Sequence, residues 1–234
     1  MPRIPNRGLQ LPLVRRYYSY RRYDNDGLRA LYAVMAINLI VFLGWQTDPD
    51  IMRKHFTTSI QHLREGRIYT LLTAGVSQAS FNHLLANMIG LYFFGREVAL
   101  TFGARQFVVL YCTGAVMGSL AHVAYYYYQA TKGGTHPWGR EMRLATAPAC
   151  LGASAAVSTL VVTAILLNPT ATVLLYGIVP MPAAALGVLF LAQDFFGLIG
   201  GPSGISHVGH LGGAATGAAF YFLMRRRGLV PRWR

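Results

Sequence analysis

Ser154 stands in the stretch "CLGASAAVSTLVVTAILLNP", Cys150 to Pro169, behind small residues and ahead of an almost unbroken apolar run. A hydroxyl becomes a nucleophile only with a base beside it and with donors for the oxyanion that its attack creates. Candidates for both occur elsewhere in the chain. His207 and His210, in "SHVGHLGGAATG", lie beside a helix face thinned by Gly212, Gly213 and Gly217, which lets a second helix touch its backbone. His83 and Asn87, in "FNHLLANMIGLYFFG", are four apart, so they share one helix face, and both can donate hydrogen bonds. The backbone N–H of Ser154, near a helix start, is a further donor. Asp194 in "LAQDFFG" has the chemistry to orient a histidine, and His122 in "SLAHVAYYYY" is a single polar group in an apolar helix.

Each residue also has a plainer reading that spacing alone leaves open. His83 and Asn87 fit interhelical hydrogen-bond glue. Ser154 fits an N-cap or packing residue, and Asp194 and His122 fit structural pairing or interfacial placement. His207 and His210 have a spacing that metal ligands use, yet no carboxylate or cysteine cluster joins them, so neither a metal nor a cofactor is expected. Cys112 and Cys150 lie in or beside apolar runs and give no disulfide framework.

The elements that must position these groups follow from composition. The 234 residues are 53% hydrophobic and 12% charged, about half the usual charge of a soluble domain. The apolar residues fall into runs long enough to cross hydrocarbon, which predicts an all-α polytopic membrane protein. Six spans are expected, near residues 30–46, 83–102, 106–128, 149–167, within 172–199, and 205–224. Residues 30–227 then form one six-span membrane domain, preceded by a basic segment, 1–29, and followed by a basic tail, 228–234.

The formal charge of +13 does not point to nucleic acid, because the basic residues sit at the ends of apolar runs rather than in a stripe interleaved with aromatics. Seven precede the first span and five follow the sixth, against four in the long loop after the first span and three in the Gly-rich loop. That excess puts both termini on the cytoplasm-equivalent side. The first 23 residues hold six arginines and no acid, the composition of an organelle-targeting presequence, and "RRYYS" is similar to a matrix-peptidase site. A plain basic tail obeying the same charge rule is the alternative.

His-x-x-x-Asn, then Gly-x-Ser, then His-Leu-Gly-Gly-x-x-x-Gly, each at the mouth of an expected span and all on one side by the span count, resembles the rhomboid intramembrane serine proteases. The resemblance covers roughly residues 67–227. "VSQASFNHLLANMIGLYFFG" and the basic start look most like the mitochondrial, presenilin-associated rhomboid-like branch.

The resemblance implies a six-helix rhomboid-like bundle and an endopeptidase with a Ser–His dyad. Ser154 is then the nucleophile and His210 the base, with His83, Asn87 and the Ser154 N–H as oxyanion donors. His207 becomes a neighbour lining the cavity, and Asp194 is not required. Substrates would be single-span membrane proteins cleaved in or near their transmembrane helix. The location would be the mitochondrial inner membrane, with the termini in the matrix. Many family members have glycine where Ala155 stands. A methyl group there is expected to narrow the site, which favours the alternative of an inactive relative that binds transmembrane helices and controls their trafficking.

Overall fold

The computed structural model describes residues 12–132, 137–175, 179–200 and 206–230, the side chains of 12–24, 174 and 175 excepted. Most of the basic start named above thus lies outside the described residues or their side chains.

Helix α1, Pro12–Thr47, ends in a 23-residue apolar stretch, Asn25–Thr47. Leu31, Val34, Asn38, Val41 and Trp45 are its buried stripe, spaced three and four apart so that they share one face. The opposite face is also apolar, with Ile37, Leu39, Ile40 and Leu43 exposed. A helix apolar all round without being enclosed by protein fits a lipid surrounding. The long loop expected next is largely helical: α2 Pro49–His55, α3 Ile60–Arg64 and α4 Thr70–Thr73. Asp48 and Ser59 start α2 and α3 by accepting the N–H groups of Ile51 and His62.

Helix α5, Phe81–Gly90, passes through a π-helical turn at Leu91–Gly95 into α6, Arg96–Lys132. The run Phe81–Lys132 has 52 residues, far more than the ~20 that cross hydrocarbon. Gly103, at φ 82° and ψ 174°, breaks it into two arms, where the sequence separates the second and third spans. An amphipathic α7, Pro137–Ala145, follows.

The structure departs from two expectations. Helix α8 runs Ser154–Leu167 rather than from residue 149. Gly152, at φ 134°, turns the chain, and the Thr58 and Cys150 backbones pair as an antiparallel bridge, so the approach to Ser154 is extended. The fold is also not purely α. Strands β1, Thr172–Leu175, and β2, Val179–Pro182, form an antiparallel hairpin with Thr172 opposite Pro182. Pro180 and Pro182 cannot donate to a helix, and Thr172 and Val173 favour extended backbone. Helices α9, Ala183–Ile199, and α10, His207–Arg226, complete the chain.

Helix α8 is the hub and packs against α6, α9 and α10. Its contact with α10 is backbone to backbone: a Cβ at Gly213 would lie 2.1 Å from the Ala155 carbonyl oxygen, and one at Gly217 2.3 Å from that of Thr159. Thr159 and Thr163 donate hydroxyl hydrogen bonds across this seam to the carbonyls of Gly213 and Gly217, at 2.8 and 3.2 Å. By length and composition, Asn25–Thr47 and Phe81–Lys132 can cross a membrane, whereas Ser154–Leu167 and Ala183–Ile199 are shorter apolar helices.

Candidate active site

Ser154 is the first residue of α8, and no side chain caps this helix. The first bond closing the helix runs from the Val157 N–H to the Ala153 carbonyl, 2.8 Å, so the N–H of Ser154 has no partner inside the helix. The approach is held by backbone bonds. Thr58 and Cys150 exchange two at 2.8 Å, and the Gly152 N–H reaches the Ala74 carbonyl at 2.9 Å. The segment containing α2 to α4 therefore fixes where the serine begins its helix.

The seam between α8 and α10 brings His210 to Ser154. Its Nε2 lies 2.7 Å from Ser154 Oγ. Its Nδ1 lies 2.8 Å from Oδ1 of Asp194 on α9, and His207 Nδ1 lies 2.9 Å from the same oxygen. A carboxylate only accepts, so both imidazoles donate through Nδ1, and His210 Nε2 accepts the serine hydroxyl proton. All three side chains are mostly buried, 8% exposed for His207, 14% for Asp194 and 20% for His210. The structure thus supplies the carboxylate that the sequence reading did not find beside the two histidines. Among the described residues these three form the group whose ligand atoms, all within 4.8 Å, lie close enough to share a metal ion. Their separations of 2.8–2.9 Å are those of hydrogen bonds.

His83 reaches the site from α5, whose start is capped by Ser80 accepting the His83 N–H. Its ring passes over Gly152, where a Cβ would meet His83 Cε1 at 2.7 Å and Ser154 Oγ at 3.4 Å. A glycine in positive φ is what lets the imidazole approach the serine here. Asn87 is buried one turn on, and its side-chain nitrogen donates to Gln78 Oε1 and to the His83 carbonyl, both at 3.0 Å. Gln78 donates in turn to Asn38, which donates to the Tyr111 hydroxyl, which donates to the Gly75 carbonyl. Both Asn87 donors are engaged, so it reaches an oxyanion only by exchanging one of these bonds, whereas the Ser154 N–H needs no such exchange.

The Ala155 side chain packs toward Gly118 of α6. A Cβ at Gly118 of α6 would lie 2.3 Å from that of Ala155, so the methyl occupies a notch that glycine leaves. A small cavity of about 20 Å³ adjoins it, lined in part by Ser119, Ser154, Ser206 and His210, enough for one water molecule.

The structure gives His122 the structural pairing that the sequence left open, with partners that spacing could not name. Its Nε2 donates to the Pro148 carbonyl at 3.0 Å, and its Nδ1 meets the Ser206 hydroxyl at 2.7 Å. Ser206 caps α10 through the Gly209 N–H. One buried side chain of α6 therefore ties down the segments leading into both Ser154 and His210. Gly114 and Gly118, four apart in "GAVMGS", were the legible sign that α6 approaches another helix closely.

Apolar helices with a hydroxyl–imidazole contact where α8 and α10 begin define a helical membrane protein. The chain belongs to the rhomboid family: the Rhomboid domain model matches residues 65–227. It is 35% identical to RHOMBOID-like protein 12, mitochondrial, of Arabidopsis thaliana over 192 residues, 81% of this chain and 56% of that protein. It is 30% identical to Rhomboid protein 1, mitochondrial, of Saccharomyces cerevisiae over 195 residues, 81% of this chain and 51% of that one. Presenilin-associated rhomboid-like protein A, mitochondrial, of Danio rerio is 27% identical over 201 residues, 82% and 47% of the two chains. The chain spans about half the length of the curated relatives it matches.

Proposed function

We propose that the chain is an intramembrane serine endopeptidase that cleaves single-span membrane proteins in or near their transmembrane helix. The observation that carries this reading is the 2.7 Å contact between Ser154 Oγ and His210 Nε2 at the start of α8. As Oγ attacks the scissile carbonyl carbon, its proton passes to His210 Nε2. The carbonyl oxygen becomes an oxyanion held by the Ser154 N–H and the His83 side chain, with Asn87 joining if it releases Gln78. The C–N bond then breaks, and the Nε2 proton goes to the leaving amine. Water, deprotonated by the same nitrogen, hydrolyses the acyl-serine.

The domain in this reading is residues 30–227, crossing the bilayer six times: once in α1, in each arm of the Phe81–Lys132 run, and in α8, α9 and α10. The mitochondrial relatives and the Arg-rich start support the mitochondrial inner membrane, and the excess of basic residues at both ends supports termini in the matrix. A substrate helix must unwind locally to present its backbone, which Gly and Pro make less costly. The Ala155 methyl packs toward Gly118, which supports the active reading over the alternative of an inactive relative that binds transmembrane helices.

Purified protein in liposomes, given a single-span substrate with glycine in its helix, is expected to release a cleaved product. Ser154→Ala and His210→Ala should each abolish both the product and labelling of the serine by a fluorophosphonate. Unchanged cleavage in either variant removes the assignment.

A further inference from the structure

We propose that Asp194 is a positioning residue: its carboxylate holds His210 in the one tautomer that can take the proton of Ser154, and His207 braces that carboxylate. The inference rests on the hydrolytic reading above and adds to it a third group, with a fourth behind it.

Geometry carries it. A neutral imidazole has one N–H and one lone pair, and Nε2 accepts from Ser154 only if the proton resides on Nδ1. The Asp194 oxygen 2.8 Å from His210 Nδ1 fixes the proton there, and it also fixes the ring plane that aims Nε2 at Oγ, 2.7 Å away. As Ser154 gives up its proton, His210 becomes a cation. A mostly buried carboxylate already hydrogen-bonded to it lowers the energy of that cation without taking the proton itself.

The carboxylate also needs holding, because α9 presents it from a different helix. His207 does this through its own Nδ1, 2.9 Å from the same oxygen. Its ring lies in a notch at Gly197, where a Cβ would meet His207 Cε1 and Nε2 at 2.4 Å. Asp194 and Gly197 are three apart on α9 and share a face, so acid and notch form one socket. His207 and His210 are likewise three apart on α10, and their rings stand nearly perpendicular, 80° apart. Two imidazoles thereby reach one oxygen without stacking.

Asp194→Asn separates this role from a packing role. The amide keeps the shape, but its nitrogen can donate to His210 Nδ1. The imidazole proton then moves to Nε2, which can no longer accept from the serine. In wild-type protein labelled with 15N-histidine and held in nanodiscs, a strongly downfield Nδ1–H resonance of His210 is expected, assigned by its loss in His210→Ala. Asp194→Asn should lose that resonance, and kcat should fall by about 10²–10⁴-fold with KM within about threefold of wild type. Asp194→Glu, which keeps the acceptor, should recover part of both.

Retention of the His210 resonance in Asp194→Asn, absence of the resonance from wild type, or a kcat within about twofold of wild type overturns the proposal. If Asp194→Asn does not fold, the wild-type resonance and the Asp194→Glu kinetics decide. A wild-type protein that shows the resonance yet neither cleaves substrate nor labels with a fluorophosphonate leaves Asp194 as the positioning group and removes the protease reading instead.

Discussion

Gly213→Ala tests whether the seam between α8 and α10 sets the distance between Ser154 and His210. The added methyl would sit 2.1 Å from the Ala155 carbonyl oxygen and 2.8 Å from its carbon. Both are backbone atoms of α8 next to Ser154, so no side-chain rotation relieves the clash. Helix α10 must retreat by about 1.3 Å before the contact reaches the ordinary range. His210 rides on α10 three residues before Gly213. The same retreat stretches its 2.7 Å contact with Ser154 to about 4 Å, beyond hydrogen-bond range. A misplacement of that size costs on the order of 10² in rate, or about 2.7 kcal/mol of barrier. Overpacking should lower fold stability by about 1–3 kcal/mol, and the Thr159 bond to the Gly213 carbonyl, now 2.8 Å, lengthens as well. The assay is the rate at which a fluorophosphonate labels Ser154, measured below the melting transition followed by tryptophan fluorescence. Ala215→Val, exposed on the same helix, is the control and should label within about twofold of wild type. If folded Gly213→Ala protein labels at the wild-type rate, the backbone seam does not position the pair and the reasoning fails.

Two further substitutions probe the surroundings of the pair. Gly152→Ala places a methyl against the His83 ring at a φ of 134°, so turnover should fall by about 10²–10³-fold, read as kcat on a single-span substrate; full activity would separate His83 from the oxyanion. His122→Leu removes the donor to the Pro148 carbonyl and the partner of the Ser206 hydroxyl. It should cost about 1–3 kcal/mol per group left unpaired, measured by thermal denaturation in micelles, with slower labelling of Ser154; an unchanged melting temperature would mean that other groups take over both bonds.

The residues that meet at the site were legible because a polar side chain at the mouth of an apolar run is costly, and so stands out. Their partners were harder to read. Asp194 is 16 residues from His210 and on another helix, and His122 is 84 from Ser206, so sequence spacing carries no trace of either contact. The true start of α8 escaped for the same reason. It is set by Thr58 pairing with Cys150 and by the positive φ of Gly152, whereas Ala149 to Ala153 read locally as a continuation of the apolar run. Pro180 and Pro182 interrupt any helix before α9, but which residues pair in the hairpin is a tertiary fact. Ala155 shows the limit most plainly: next to Ser154 in sequence its methyl reads as an obstruction, and only Gly118 on α6 reveals where that methyl goes.

The shortness of α8 has a consequence for which parts of the chain belong to the site. Fourteen residues extend about 21 Å, against a hydrocarbon thickness of about 30 Å. If α8 crosses the bilayer as proposed, with its C-terminal end at the far surface, its first residue lies below the near surface, where free N–H groups are too costly to leave facing lipid. Helix α8 has no side-chain cap to satisfy them, so something must keep lipid away. The covering segment is the one stitched to its approach, through Thr58 to Cys150 and Ala74 to Gly152. That cover leaves the N–H of Ser154 available to a developing oxyanion, and the cavity beside it has room for one water. On the proposed reading α2 to α4 belong to the site as much as the helices that carry Ser154 and His210, because they cover an uncapped helix start that would otherwise face lipid.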